Sequence, residues 1–275
     1  MLRTYAHQVT NMKLAVAGKG GVGKTLVAGT LARFLGREGI RVLAVDADPT
    51  PTLASALGIP SEVAAKIVPL TENDELVEER TGMDKKTYGG MFKLNPRVSD
   101  LSDKFGVPGP DNVTLLVAGT VTIGGSGCMC PAGALLKALI RHLIVGTDEA
   151  FVMDLEAGIE NLGRGTSRGM DALIAVVEPG QSSINTVERI QKLAHDIGVD
   201  TIFAVGNKIM DDVDQTTIES TLDVLQIPLL TSIPFDKGIR QANLKGIAPL
   251  DYAPESPGLQ AIKSIIPKLR AHLPS

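Results

Sequence analysis

One stretch limits the folds open to this chain more than any other. Ala15-Val16-Ala17-Gly18-Lys19-Gly20-Gly21-Val22-Gly23-Lys24-Thr25 joins a short apolar run to an amphipathic one. Gly18, Gly23, Lys24 and Thr25 satisfy the phosphate-loop pattern of Gly, four residues, Gly-Lys-Ser/Thr. Glycines let the backbone curl until successive N–H groups point at one anion, which a Cβ would obstruct. A helix N-terminus behind such a loop adds partial positive charge. In that setting Lys24 reaches the β- and γ-phosphates of a nucleotide and the Thr25 hydroxyl ligates Mg²⁺. The candidate nucleotide contacts are therefore Gly18, Lys19, Gly20, Gly21, Val22, Gly23, Lys24, Thr25 and Leu26.

The flanking periodicity says what carries the loop. Lys13 to Ala17 reads as a buried strand, and Thr25 to Glu38 as a helix with Val27, Leu31, Phe34 and Leu35 on one side. Gly39 stops it, and Arg41 to Val45 forms the next strand, which ends in Asp46-Ala47-Asp48-Pro49. Strand, helix, strand at this spacing implies parallel pairing with a right-handed crossover. Further strands are expected at Val113 to Val117, Ala150 to Met153, Ala172 to Val177, Thr201 to Val205 and Leu229 to Ile233. Helices at Ala132 to Val145, Ser183 to Ile197, Asp214 to Leu225 and Pro257 to His272 alternate with them. The expectation is an α/β fold, a doubly wound, mostly parallel sheet with helices on both faces, of the P-loop NTPase type.

Residues 12–275 are expected to form a single ATPase domain. Between about Thr71 and Asn112 the apolar rhythm fades, and this reads as a loop-rich insertion on the ligand side of the sheet, with a short strand at Met91 to Leu94. The acidic segment Glu72 to Glu79 within it reads as a solvated helix face. Residues 1–11 are a polar leader without the apolar core of a signal peptide. Two readings of it stand: a loosely held tail, or translation that begins at Met12.

Composition closes several functions. A formal net charge of −4 gives no basic field for nucleic acid. No apolar run approaches membrane-spanning length. With two cysteines and no secretory signal, a cytoplasmic location is the default.

Three groups of residues carry candidate chemistry beyond the loop. Asp154 follows Phe151-Val152-Met153, an apolar strand ending in an acid, where a carboxylate holds Mg²⁺ directly or through water. Beyond it Gly158 offers an N–H as a γ-phosphate sensor. Asp46 and Asp48 end a strand near the same phosphates. Asp48 is the better candidate to orient the attacking water, and Asp46 either stands near the metal or caps the helix that begins near Pro49. Asn207 and Lys208 end a late strand where an amide can read the N6 and N7 edge of adenine, and Pro234 can pack on the base; either feature also reads as a turn. Cys128 and Cys130 are the only cysteines and stand one residue apart. A disulfide at this spacing is strained. One chain supplies two thiolates, whereas a symmetric pair supplies the four that suit Ni²⁺, Zn²⁺ or a cluster. The alternative is two small apolar fillers near a helix start. His7, His142, His195 and His272 show no ligand spacing.

With these residues in hand, the chain resembles the deviant Walker A ATPases, whose mark is a second lysine early in the loop, here Lys19. Within that group it resembles the CooC-type ATPases of carbon monoxide dehydrogenase maturation. The matching pieces are Met12 to Gly21, Asp46-Ala47-Asp48-Pro49, Cys128-Met129-Cys130, Ala157-Gly158-Ile159-Glu160, Arg164-Gly165-Thr166 and Val177-Glu178-Pro179. The resemblance implies an ATP- and ADP-switched homodimer that binds nickel at its interface. Its client would be carbon monoxide dehydrogenase or acetyl-CoA synthase. It also implies that Lys19 contacts the partner's nucleotide, that Lys24 and Thr25 hold phosphate and Mg²⁺, that Asp48 serves hydrolysis, and that Cys128 and Cys130 ligate metal. Leu26 departs from the pattern, because a second hydroxyl residue commonly follows the loop threonine. The lost hydrogen bond is worth about 1 kcal/mol of nucleotide affinity. Two other functions compete. A positioning or partition ATPase would need a basic amphipathic C-terminal helix, which Pro267 interrupts. An electron carrier with a bridging iron–sulfur cluster would space its ligands differently.

Overall fold

The computed structural model describes residues 12–83, 91–121, 130–146, 149–156 and 169–273. In chain order the elements are β1 Lys13–Gly18, α1 Lys24–Arg37, β2 Val42–Ala47, α2 Leu53–Leu57, α3 Ser61–Ala64, α4 Asp74–Thr81, α5 Leu101–Phe105, β3 Val107–Pro108, β4 Val113–Val117 and α6 Pro131–Gly146. There follow β5 Ala150–Leu155, β6 Ala172–Val177, α7 Gln181–Ile197, β7 Ile202–Ile209, α8 Asp212–Leu225, β8 Leu229–Pro234, α9 Lys237–Lys245, α10 Pro249–Tyr252, α11 Pro257–Lys263 and α12 Ile265–His272.

Among the described residues the strands make one sheet in the order β3-β4-β2-β5-β1-β6-β7-β8. Every pair is parallel except β3 with β4. Strand side chains alternate between the faces. Leu14, Val16, Ala44, Val152 and Ile174 therefore face α1, α2, α11 and α12, in a core with Leu31, Leu35 and Leu259. Ala15, Val45, Phe151, Met153 and Leu173 face the other layer, with Leu135, Leu139, Val187 and Ile190 of α6 and α7. Burial on both faces explains why these strands are continuous apolar runs. The doubly wound parallel sheet is as expected. The chain runs from β1 to β2 on one side and later from β6 to β8 on the other. Strand order thus reverses at β1, and the glycine-rich loop sits at its carboxyl end, where such sheets take ligands.

Several local expectations need correction. Residues 91–94 form no strand: Met91 is 98% exposed, and no strand among the described residues pairs with this segment. The insertion instead gives the sheet its edge strand β3, whose Val107 stands opposite Leu115 of β4. The acidic segment is a helix, as expected: it is α4, with Leu76 and Val77 buried beneath its charged face. β7 runs past Val205 to Ile209, with a register irregularity between Gly206 and Ile209. The C-terminal helix divides at Ser264 into α11 and α12. Pro267 lies in the first turn of α12, where its missing N–H costs nothing. The leader 1–11, Gly89, Gly90 and most of the Gly119–Gly127 loop lie outside the described residues.

Candidate functional site

The loop is fixed from beneath. A Cβ on Gly18 would lie 2.6 Å from the Val176 carbonyl oxygen, so only glycine lets β6 approach β1 this closely. Gly23 has φ +100°, and a Cβ there would meet Asn207 Nδ2 at 2.3 Å. The first-turn N–H groups of α1 have no partner within the helix. Lys24, Thr25 and Leu26 of that turn line the cleft with the loop.

Around this helix end the acids converge as the sequence suggested. Lys24 Nζ pairs with Asp48 Oδ2 at 3.1 Å, both largely buried. The Thr25 hydroxyl donates to Asp154 Oδ2 at 2.6 Å. Asp46 and Asp154 are direct neighbours in the β2–β5 register, a juxtaposition that sequence separation conceals. Both are wholly buried. Burial pushes the Asp154 carboxyl up to about 7; the Thr25 hydroxyl opposes the shift, Asp46 adds to it, Lys24 opposes it and Asp48 adds to it. Burial likewise raises Asp46 to about 6, against the N–H groups of Leu53 and Asp48. The Leu53 N–H donates to Asp46 Oδ2 at 2.9 Å and the Asp48 N–H to Oδ1 at 3.2 Å. Asp46 therefore caps a helix, the second of its two readings, but that helix is α2 at Leu53 rather than one at Pro49.

Asp154 Oδ1 is buried and meets no hydrogen-bond partner among the described residues. An unpartnered carboxylate oxygen beside a threonine hydroxyl suits a hard cation that takes oxygen ligands. No three His, Cys, Asp or Glu side chains form a metal cage among the described residues. A small divalent ion held by Thr25 and Asp154 would take its remaining ligands from phosphate and water, the habit of Mg²⁺.

The cleft beside the loop holds about 460 Å³ and is lined by Gly20, Lys24, Thr25, Leu26, Asp48 and Ser55, with Asn243 and Pro249 opposite. Asn243 on α9 and Pro249 on α10 were not singled out from sequence, because nothing near them carries a motif. Pro234 does not line this cleft; it ends β8, opposite Ile209 of β7 and two strands away from β6. Asn207 is 4% exposed, and its Nδ2 donates to the Val22 carbonyl at 2.6 Å. Lys208 reaches back over the loop, with Nζ on the Gly21 carbonyl at 2.7 Å and on Glu178 Oε2 at 2.9 Å. Both residues bind the loop itself, which the sequence did not reveal.

Lys19 is exposed, and its side chain meets no partner among the described residues. Cys130 is half-buried, immediately before α6, and its Sγ accepts the Gly133 N–H at 3.4 Å. Its sulfur thus stands at a helix N-terminus. Cys128 and Gly158 lie outside the described residues. No described helix is long and apolar enough to cross a membrane.

Comparison with known proteins adds relatives to this geometry. The family model of the CobQ/CobB/MinD/ParA nucleotide-binding domain matches residues 13–250. The chain is 45% identical over 243 residues to the carbon monoxide dehydrogenase accessory protein CooC of Rhodospirillum rubrum, covering 88% of this chain and 91% of that one. Its fold is similar to that of a ParA family ATPase from Chlorobium tepidum, with a TM-score of 0.67 at 19% identity over 92% of this chain and 97% of the other. It is also similar to the septum site-determining protein MinD of Pyrococcus horikoshii, solved with Mg-ADP. There the TM-score is 0.64 at 24% identity, covering 94% and 96% of the two chains.

Proposed function

The chain belongs to the CobQ/CobB/MinD/ParA nucleotide-binding family, and from that premise we propose that it is a Mg²⁺-dependent ATPase, working as a homodimer, that carries nickel to carbon monoxide dehydrogenase or acetyl-CoA synthase. The observation that carries the ATPase reading is the polar cluster at the N-terminus of α1, where Thr25 bonds Asp154 beside the Lys24–Asp48 pair. Thr25 and Asp154 would hold Mg²⁺, with Asp46 behind them. The ion neutralises phosphate charge when bound. Lys24 would hold the phosphates, and Asp48 would orient the attacking water. Lys19, exposed at the rim of the loop, is available to a nucleotide on the partner subunit. Leu26 and Gly158 complete the contacts proposed for ATP and ADP, while the Asn207 amide, already bonded to the Val22 carbonyl and the Lys208 N–H, holds the loop rather than the base.

The nickel cargo rests on the likeness to the CooC accessory protein and on Cys130, whose sulfur accepts an N–H at a helix N-terminus, a setting that favours the thiolate. Joined by Cys128, and doubled in a dimer, it would supply the four thiolates that suit Ni²⁺ or Zn²⁺. The place of action proposed is the cytoplasm, without nucleic acid or membrane. A membrane-positioning ATPase would need a free basic amphipathic C-terminal helix. Here α12 buries Ile265, Ile266 and Leu269, while Lys268 bonds the Leu230 carbonyl and Arg270 bonds Glu38.

Anaerobic nickel titration with and without ATP, read together with oligomeric state, tests the proposal. One metal per ATP-induced dimer is the expected result. Cys128→Ser with Cys130→Ser should abolish metal binding and leave ATP binding intact; full nickel retention would overturn the cargo. Lys19→Ala should bind ATP yet lose hydrolysis and nucleotide-driven dimerisation, and normal turnover by it would overturn the composite site.

A further inference from the structure

We propose that Glu178 and Lys208 are a positioning pair that sets the shape of the phosphate loop, acting through its backbone rather than on the nucleotide. The inference deepens the ATPase reading and rests on it for its effect on catalysis.

Three strands contribute to the arrangement. The loop follows β1, Glu178 follows β6, and Lys208 lies near the end of β7, where the β7–β8 register is irregular. Lys208 has φ +60°, a left-handed conformation that is unfavourable for a residue with a Cβ. Such conformations persist where the surroundings over-determine them. Here the determinants are on either side. The Asn207 side chain holds the Val22 carbonyl at 2.6 Å, and its own Oδ1 accepts the Lys208 N–H at 2.9 Å. Beyond, the Phe235 N–H closes onto the Ile209 carbonyl at 2.8 Å.

That backbone turn aims the lysine back across the loop. Its ammonium divides between the Gly21 carbonyl at 2.7 Å and Glu178 Oε2 at 2.9 Å. Glu178 is held in turn, because its N–H donates to the Ser183 hydroxyl at 3.0 Å, and Ser183 is buried. Consecutive loop residues are thus gripped from one side: Gly21 by Lys208, Val22 by Asn207, and Gly23 by contact with the Asn207 amide. Glycine-rich segments are the most costly to order. Gly21 has φ +80°, and its carbonyl is satisfied by the lysine, so the loop's curl is set before a phosphate arrives. Glu178 keeps the ammonium over Gly21 and balances a positive charge that would otherwise seek the phosphates directly. Lys208 and Glu178 remain part-exposed, so the bond is strong enough to bias the loop but not to lock it.

Hydrogen exchange of residues 18–25 in the nucleotide-free protein, measured beside steady-state ATPase kinetics, tests the pair. Lys208→Met and Glu178→Ala should speed exchange in the loop and leave that in β1 and β6 unchanged. Each should raise KM for ATP by about tenfold with little change in kcat, the loss of one charge-assisted bond. The double variant should be no worse than Lys208→Met alone, and Glu178→Gln, which keeps an acceptor, should recover part of the loss. Unchanged loop exchange overturns the pair. So does a fall in kcat at constant KM, which would place Lys208 on the reacting phosphate. If the wild-type chain turns over no ATP while the variants still loosen the loop, the ATPase reading fails and the positioning pair stands.

Discussion

Asp154, the proposed Mg²⁺ ligand, shows how a single buried carboxyl can work against stability. It is buried beside Asp46, and burial holds it at about 7 rather than the ordinary 3.8. A carboxyl whose folded-state value is raised favours the folded chain fully below about pH 3.8, and that advantage is lost as the pH rises through about 7. Above that the folded chain carries a charge it holds poorly. Asp154→Asn keeps the shape without the charge, so the nucleotide-free variant should be more stable than the wild type at about pH 8, by up to about 4 kcal/mol. The gain should shrink towards pH 5, where the wild-type carboxyl is protonated. Thermal melts across that range would show it, and a stability difference independent of pH would refute it. The same substitution should remove Mg²⁺-dependent hydrolysis, because an amide is a poor ligand for a hard cation.

At the scale of elements, Asp236 has the opposite sign. Its Oδ1 takes the N–H groups of Gly238 and Ile239 at the start of α9, and its Oδ2 takes that of Gly258 in α11, so one residue caps two helices. Burial raises this carboxyl, but the N–H groups of Gly258, Ile239 and Gly238 together hold it below its ordinary value. Its contribution is therefore complete above about pH 4 and is lost as the pH falls through the lowered value. Asp236→Ala should cost about 1–2 kcal/mol at neutral pH by the usual value of a cap. The difference from wild type should narrow in acid, and urea melts at several pH values would measure both. Neither tie is visible in sequence, and this divides what could be read from what could not. The central strands were legible because burial on both faces leaves unbroken apolar runs such as Leu173 to Val177. Helix α2 was expected near Pro49 but begins at Leu53, because a carboxylate on β2 starts it. Edge strand β3 and helices α9 and α10 were missed because they are short and held by partners distant in sequence. The loop and its acids were legible because phosphate chemistry demands those residues at those spacings. The grip of Asn207 and Lys208 on the loop was not, because it follows from a bulge in β7.

At the scale of the whole molecule, the least legible feature is a junction that joins three parts of the chain. Arg33, on the helix whose N-terminus forms the site, is 2% exposed. Its Nε donates to Asp111, in the turn between β3 and β4, at 2.7 Å. Its Nη1 and Nη2 bind Asp251 of α10 at 2.8 and 2.7 Å. Asp251 lies two residues after Pro249, which lines the cleft, so the junction also sets where that wall stands. The partners differ in solvation: the Asp251 side chain is 42% exposed and that of Asp111 22%, whereas that of Arg33 is 3% exposed. An exposed carboxylate that loses its partner can return to water, but a buried guanidinium cannot. Removing the cation should therefore be the milder change. Arg33→Met, which fills much of the same volume, should cost about 1–2 kcal/mol, with solvent screening limiting what the pairs were worth. Asp111→Asn with Asp251→Asn leaves a buried charge facing neutral amides and should cost about 3–5 kcal/mol. Adding Arg33→Met to that double variant should then restore stability rather than lower it further. Chemical denaturation of the three proteins decides the matter, and a triple variant less stable than the double would mean that Arg33 holds the junction by packing alone.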